Sequence, residues 1–440
     1  MLFKKRKLKM KFKFLHPRDE IIEIINRIYQ NGMTTTSGGN LSILDEDGSV
    51  WITPKGVDKG TLKPEDIVRV LPDGSLDGLH EPSSELPFHK AIYNARQDIK
   101  AIVHAHPPAL VSFAITRKIP DTRIIPKASE LCGTVGYAKY ALPGSNKLGE
   151  VIAEVFKQNN NTVLMENHGI VTVGSSLMHA FQRLETLDFC ARLTLKANIL
   201  GKVKILTKED IALSQREISL EDFEFTSHSS KEKELRKNII SLIHRSYLQD
   251  LVTSMEGTFS ARIKGEEFII TPWGLDRKYL SEEDLVLIDG NKKEAGKDPS
   301  RSVLLHREIY EKNPNINAIF IAHPPNIMAF GISGVKFDSR TIPESYLVLR
   351  DVLTLPYGLE FSKVENNNNI NIANIISDTV PIVICENDCV IVTGNSLLQG
   401  YDRLEVAEFS AKSIIASKAI GEVVPIGKSE ITELEKAFNL

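Results

Sequence analysis

The sequence predicts an α/β protein: two tandem three-layer α/β/α lobes, each with a central mixed, largely antiparallel sheet. Three observations lead there. The chain has 440 residues, 42% hydrophobic and 25% charged, an ordinary globular composition with length for more than one domain. It is also written twice: "WITPKGVDKGTLKPEDIVRV" (51–70) returns as "IITPWGLDRKYLSEEDLVLI" (269–288), and "MENHGIVTVGSSLMHAFQRLE" (165–185) as "CENDCVIVTGNSLLQGYDRLE" (385–405). A repeat this long is a domain duplication, not a solenoid. Within each copy strand-like and helix-like segments alternate, and some connections are hairpin-short, which a purely parallel sheet does not allow.

In the first copy, Ile21, Ile24, Ile25 and Ile28 stand at helical spacing, so a helix opens the lobe and stops near Gly32. "NLSIL" and "SVWIT" read as short strands around the turn "DEDG". "ELPFHKAIYNA" is a short helix, and "KAIVHAH" a strand halted by Pro107 and Pro108. "NTVLMEN" and "GIVTVG" are further strands, and "SLMHAFQRLETLDFCARLTLKANIL" a long closing helix. The polar stretch "SLEDFEFTSHSSKEKEL" (219–235) is the expected join, giving lobes at 16–220 and 233–440.

A net charge of −3 argues against a nucleic-acid partner, whose footprint would be basic over a whole face. No run of 18 apolar residues occurs, so no membrane span is expected. The start "MLFKKRKLKMKFKF" lacks the apolar core of a secretory signal and reads as a solvated basic tail. Four cysteines, at 132, 190, 385 and 389, show no paired framework, which suits a reducing, cytoplasmic setting. Cys385 and Cys389 lie in an apolar run and read as small core residues.

Chemistry concentrates in the first copy. His104 and His106 in "VHAHPP" share one strand face, roughly 6 to 7 Å apart, so two imidazoles can converge on one ion. His168 in "MENHGIV", at a strand junction beside a glycine, is the candidate third ligand, and three ligands with one open position make a catalytic zinc site. The second copy has Ile321, His323 and Asp388 at the matching places, so the fold does not require His104 or His168. Glu85 opens a helix that Ser83 or Ser84 can cap, and the second copy has Ser302 there. Loss of the acid together with two ligand candidates marks the three as one unit. His89 and His306 occupy the same place in both copies and read as structural helix residues. "SGGN" (37–40), "TPKG" (53–56) and Ser83–Ser84 offer backbone N–H groups, hydroxyls and the Lys55 charge, a cradle for phosphate.

These residues resemble the class II aldolase and adducin head-domain family. "GGNLS", "ITPKG", "PSSE", "VHAHPP" and "ENHGI" occur in the family's order and spacing, and the resemblance covers both copies, the second degenerate. It implies that His104, His106 and His168 bind one Zn2+ per chain, in the first lobe. It implies that Glu85 is the acid/base, and that Asn40, Lys55, Gly56, Ser83 and Ser84 bind the substrate phosphate. The implied activity is a zinc-dependent carbon–carbon lyase that cleaves a ketose 1-phosphate to dihydroxyacetone phosphate and an aldehyde. The same site on the same fold also serves dehydratases and epimerases, and adducin-like heads use the fold for binding without metal. A small sugar phosphate is the expected partner and a homo-oligomer the expected assembly. A proton-shuttling carboxylate at Glu85 would carry a raised pKa. The tyrosine that assists proton transfer in the fuculose-phosphate enzyme has no match in "RKIPDTRIIPKASELCG".

Overall fold

The computed structural model describes residues 15–215, 218–224, 227–361 and 371–438; the basic N-terminal stretch 1–14 lies outside them. The described chain forms two compact units, one running to Arg192 and one from Leu193 onward.

In the first unit, α1 (Pro17–Gln30) starts on a proline that gives up no needed N–H, with His16 Nδ1 accepting from the Arg18 N–H at 3.2 Å. Its four spaced isoleucines are all fully buried. The strands are β1 (Asn40–Leu44), β2 (Val50–Ile52), β3 (Val68–Val70) and β4 (Leu76–Asp77), then, after helix α2 (Leu86–Ala95), β5 (Ala101–Ala105). Next come α3 (Pro108–Thr116), α4 (Pro126–Cys132), β6 (Val135–Ala138), α5 (Asn146–Phe156), β7 (Thr162–Met165), β8 (Ile170–Gly174) and α6 (Leu177–Leu200). The sheet order is β4-β3-β2-β1-β5-β8-β7-β6, and every pairing is antiparallel except β6 with β7.

Strand alternation divides the unit into layers. One sheet face buries Ile52, Ile102, Val163, Val171 and Val173 against Phe88, Ile92, Leu148 and Ile152 of α2 and α5. The other face meets α6, where Thr172 donates to the Ala180 carbonyl at 2.8 Å, and α1, where Arg27 lies 3.7 Å from Glu185 and over the Phe181 ring. This is the expected α/β/α order. The helices α3, α4 and α5 and the strands β3, β4 and β6 were not anticipated from the sequence, although Pro108 at the first helical position of α3 is a recognisable start signal.

The second unit adds α7 (Lys208–Leu213), β9 (Glu221–Phe223) and α8 (Ser230–Leu248), so the polar stretch 219–235 carries a short strand and a helix start. Strands β10 (Thr258–Lys264), β11 (Glu267–Ile270), β12 (Val286–Asp289) and β13 (Lys292–Glu294) precede α9 (Val303–Lys312) and β14 (Ala318–Ala322). They are followed by α10 (Pro325–Ser333), α11 (Pro343–Leu349), β15 (Val352–Leu355), α12 (Ile372–Ile375), β16 (Ile382–Cys385), β17 (Val390–Gly394), α13 (Leu397–Ser417) and α14 (Lys428–Phe438). The order β15-β16-β17-β14-β10-β11-β12-β13 repeats the first sheet, with β9 added parallel to β13. Cys385 and Cys389 are free and pack in this unit's core. Among the described residues no helix is long and apolar enough to cross a membrane.

One polar knot is common to both units. Ser42 on β1 bridges His89 Nδ1 and Tyr93 Oη of α2, each at 2.7 Å. Ser260 on β10 bridges His306 and Tyr310 of α9 at the same 2.7 Å distances. Burial holds His306 down to about 3, so the folded unit keeps it neutral. An unfolded imidazole takes up its proton near 6.5. Between those values the unfolded state binds more protons, so stability is lost as pH falls, by about 1.4 kcal/mol per pH unit for this group. Amide exchange of the second sheet between pH 6 and 5 should show that slope, and His306→Gln should flatten it.

Candidate active site

The site forms where the end of β5 meets the start of α2. The β1–β5 register sets Asn40 opposite His104, and His104 shares its strand face with Ile102, toward α2. Phe88 of α2 packs edge-on against the His104 ring, with centroids 5.6 Å apart. Glu85, at the N-cap of the same helix, therefore reaches this strand end. Neither serine caps that helix, contrary to expectation: Glu85 itself holds the cap position, and Ser83 Oγ accepts the Glu85 N–H at 3.3 Å.

His106 is the first residue beyond β5, its N–H donating to the Met33 carbonyl at 3.1 Å. Leaving the strand brings its ring closer than strand spacing implies, with its centroid 4.6 Å from that of His104. His168 sits in the β7–β8 turn, where Asn167 takes a left-handed conformation at φ 53°, and its ring lies 5.2 Å from His106. The three imidazoles place a ligand nitrogen each within 4.8 Å of one another, a group that could hold a metal ion.

The donor set fits a cation. His104 Nδ1–H donates to the Ile170 carbonyl at 2.9 Å, which leaves Nε2 as the nitrogen turned toward the cluster. His104 Nε2 faces Glu85 Oε2 at 3.2 Å, and His106 Nε2 and Glu85 Oε1 are buried without a hydrogen-bond partner among the described residues. Two glycines clear the space: a Cβ at Gly38 would lie 2.8 Å from His106 Nδ1, and one at Gly169 would lie 2.5 Å from His106 Cδ2.

Burial, reinforced by neighbouring imidazoles, pushes His106 down to about 3 and His168 to about 4, so both are neutral at pH 7. Burial also opposes charge on His104, but the Glu85 carboxylate 3.2 Å away raises its pKa above the ordinary value. The raised pKa expected of Glu85 is not found. Burial pushes it up, yet His104 and the Asn40 hydrogen bond outweigh burial and hold it well below the usual carboxylate range. Glu85 is thus an ionised base.

The residues proposed for phosphate are partly engaged. The isolated bridge between Pro54 and Pro82 sets Lys55 and Gly56 beside Ser83 and Ser84. Lys55 and Ser84 are exposed, and Gly56 has φ 71°. The Lys55 and Ser83 backbone N–H groups are already bound, to Glu81 and Thr53 carbonyls at 3.0 and 3.1 Å. Asn40 is buried, with Nδ2 donating to Glu85 Oε2 at 2.7 Å and Oδ1 facing His89 Nε2 at 2.5 Å.

The second unit shows what replaces this arrangement. Thr258 stands opposite Ile321, as Asn40 does opposite His104. Glu256 occupies the place of Gly38, and its carboxylate lies 3.3 Å from His323 Nε2, in the space the first unit keeps clear. Residues 204–214 are hydrogen-bonded across the same face: the Lys204 carbonyl accepts from Asn387, the Asp210 carbonyl from Tyr357 and the Ser214 carbonyl from Arg301. Sequence reasoning placed Gly38 in the phosphate cradle and missed that its missing Cβ lets His106 approach; its exchange for Glu256 between the copies was the available signal.

Comparison with known proteins agrees with this duplication. Residues 19–195 and residues 237–415 each match the family described as Class II Aldolase and Adducin N-terminal domain. The chain belongs to that family. Among similar proteins, the 5-deoxy-D-ribulose 1-phosphate aldolase of Bacillus thuringiensis is 32% identical over 44% of this chain and 91% of its own length. The L-fuculose phosphate aldolase of Methanocaldococcus jannaschii is 33% identical over 42% of this chain and 98% of its own length. The 3-oxo-tetronate 4-phosphate decarboxylase of Escherichia coli is 32% identical over 44% of this chain and 93% of its own length. These relatives are lyases and decarboxylases acting on sugar phosphates, and each corresponds in length to one lobe.

Gly38→Glu, which copies the second lobe into this aldolase-family site, should abolish binding of divalent cations while leaving the melting temperature of the fold within a few degrees. Metal analysis after dialysis, with circular dichroism melting, checks both. In the wild type, cation affinity should fall as pH drops through the raised pKa of His104, because the ligand must shed its proton to bind.

Proposed function

We propose that the first lobe is a zinc-dependent class II aldolase, cleaving a ketose 1-phosphate to dihydroxyacetone phosphate and an aldehyde. The observation that carries this reading is the convergence of His104, His106 and His168 with the unpartnered Glu85 Oε1 buried beside them. Three imidazole nitrogen ligands, with His104 shedding its proton on binding, suit zinc. A cation held there supplies Lewis-acid stabilisation of negative charge developing on the substrate carbonyl oxygen.

The chain's own residues do the rest. Glu85, ionised and buried, accepts the proton of the substrate hydroxyl at Oε1 as the carbon–carbon bond breaks, and returns it to the carbanionic carbon of the dihydroxyacetone phosphate half. Lys55, Gly56, Ser83 and Ser84 hold the phosphate by charge and N–H or hydroxyl donors; Asn40, expected in the same set, is engaged by Glu85 and His89. This fixes the scissile bond relative to Glu85. Burial of the cluster excludes water, which strengthens each electrostatic contact. The reading includes a homo-oligomer and a cytoplasmic location; a stable monomer with full activity in light scattering would remove the oligomer from it.

A decarboxylase, dehydratase or epimerase on the same site is the second reading, favoured by the decarboxylase relative at equal identity. A panel of ketose 1-phosphates assayed for dihydroxyacetone phosphate decides. Release of that product supports the aldolase, whereas carbon dioxide release from a 3-oxo acid phosphate with no cleavage of any ketose favours the second. Purified protein should hold one zinc per chain. Glu85→Gln should lower kcat by about 100-fold or more with zinc retained.

A further inference from the structure

We infer that Asn40 and His89 are positioning residues for Glu85, the last links of a one-way hydrogen-bond chain running from Tyr93 through Ser42. The inference rests on Glu85 as the acid/base. It goes beyond the phosphate role expected of Asn40 and the purely structural role expected of His89.

Each donor in the chain is determined by its neighbour. Asn40 Nδ2 donates to Glu85 Oε2 at 2.7 Å, and this fixes which way the amide points. Its Oδ1 then faces His89 Nε2 at 2.5 Å, and because an amide oxygen only accepts, His89 carries its proton on Nε2. His89 Nδ1 is left to accept the Ser42 hydroxyl, and Ser42 Oγ to accept the Tyr93 hydroxyl, each at 2.7 Å. All five side chains are buried.

An amide does not pass a proton along, so this chain orients the carboxylate and does not conduct. It holds Oε2 between Asn40 Nδ2 at 2.7 Å and His104 Nε2 at 3.2 Å, and leaves Oε1, buried and without a hydrogen-bond partner among the described residues, as the oxygen facing His168 at 3.6 Å. Without Asn40 the carboxylate is free to turn further onto the imidazoles, where it blocks the cluster it should serve.

The second lobe is the internal control. It keeps Tyr310, Ser260 and His306 at the same spacing, but Thr258 replaces Asn40 and turns its hydroxyl to Ser300 at 2.7 Å. His306 Nε2 is then buried without a partner. The knot alone serves the fold; the amide link is present only where there is a carboxylate to aim.

The test uses the full chain carrying Asn40→Ala, His89→Gln, His89→Leu or His306→Leu. Asn40→Ala should lower kcat about 10- to 100-fold with KM within about threefold and metal content unchanged. The same fractional loss should appear on the unphosphorylated sugar. A loss confined to KM, or one that vanishes without the phosphate, assigns the amide to phosphate binding and overturns the inference. His89→Gln keeps an N–H for Asn40 and should stay within about fivefold of wild type, whereas His89→Leu should match Asn40→Ala. His306→Leu should lose stability as His89→Leu does, with no loss of kcat; equal loss of kcat overturns the inference. Nitrogen-15 NMR of the histidines gives a readout independent of turnover. A His89 proton on Nε2 supports the chain, and a proton on Nδ1 overturns it. If no substrate is turned over, the aldolase reading fails by itself while the NMR result still decides the chain.

Discussion

The antiparallel register of β1 against β5 is the constraint on which the rest of the site depends. It sets Asn40 directly opposite His104, and the alternation of strand side chains then turns both toward α2. The buried knot of Ser42 with His89 and Tyr93 ties α2 to β1 at a fixed height, so the helix start delivers Glu85 to the strand end. A slip of one residue would turn His104 to the opposite face, away from Glu85, and separate it from His168.

The duplication separates what the fold needs from what the chemistry needs. Both lobes share the sheet order, the register and the serine–histidine–tyrosine knot. They differ in the side chains that face the strand end. Where the first lobe leaves room at Gly38, the second inserts Glu256 beside His323, and burial raises Asp388 to about 6 there. A protein interior tolerates no unfilled or unpaired polar space for long without a compensating role. The second lobe sets Glu256 against His323, whereas the first gathers His106 Nε2 and Glu85 Oε1, both buried without a hydrogen-bond partner among the described residues, at one strand end.

Much of this was legible in the sequence. The opening helix followed from four isoleucines at helical spacing, and all four are buried. The candidate ligands and Glu85 stood out because the second copy lacks His104, His168 and Glu85 together. What escaped was geometry between segments far apart in the chain. That His106 steps out of its strand depends on the Met33 carbonyl that receives its N–H. That Glu85 is ionised and not protonated depends on His104 and Asn40 standing close enough to outweigh burial.

The sequence by itself determined the duplication, the lobe architecture, the candidate residues and the family they resemble, because these are patterns of residue type along the chain. Only the tertiary structure decided which atoms face one another: that three imidazoles from a strand end and a distant turn meet within 4.8 Å, and that Asn40 points at a carboxylate 45 residues away. The physical reason is that periodicity specifies which face a residue lies on. Distance, hydrogen-bond direction and charge state are set by packing between elements, and these are the quantities on which the chemistry turns.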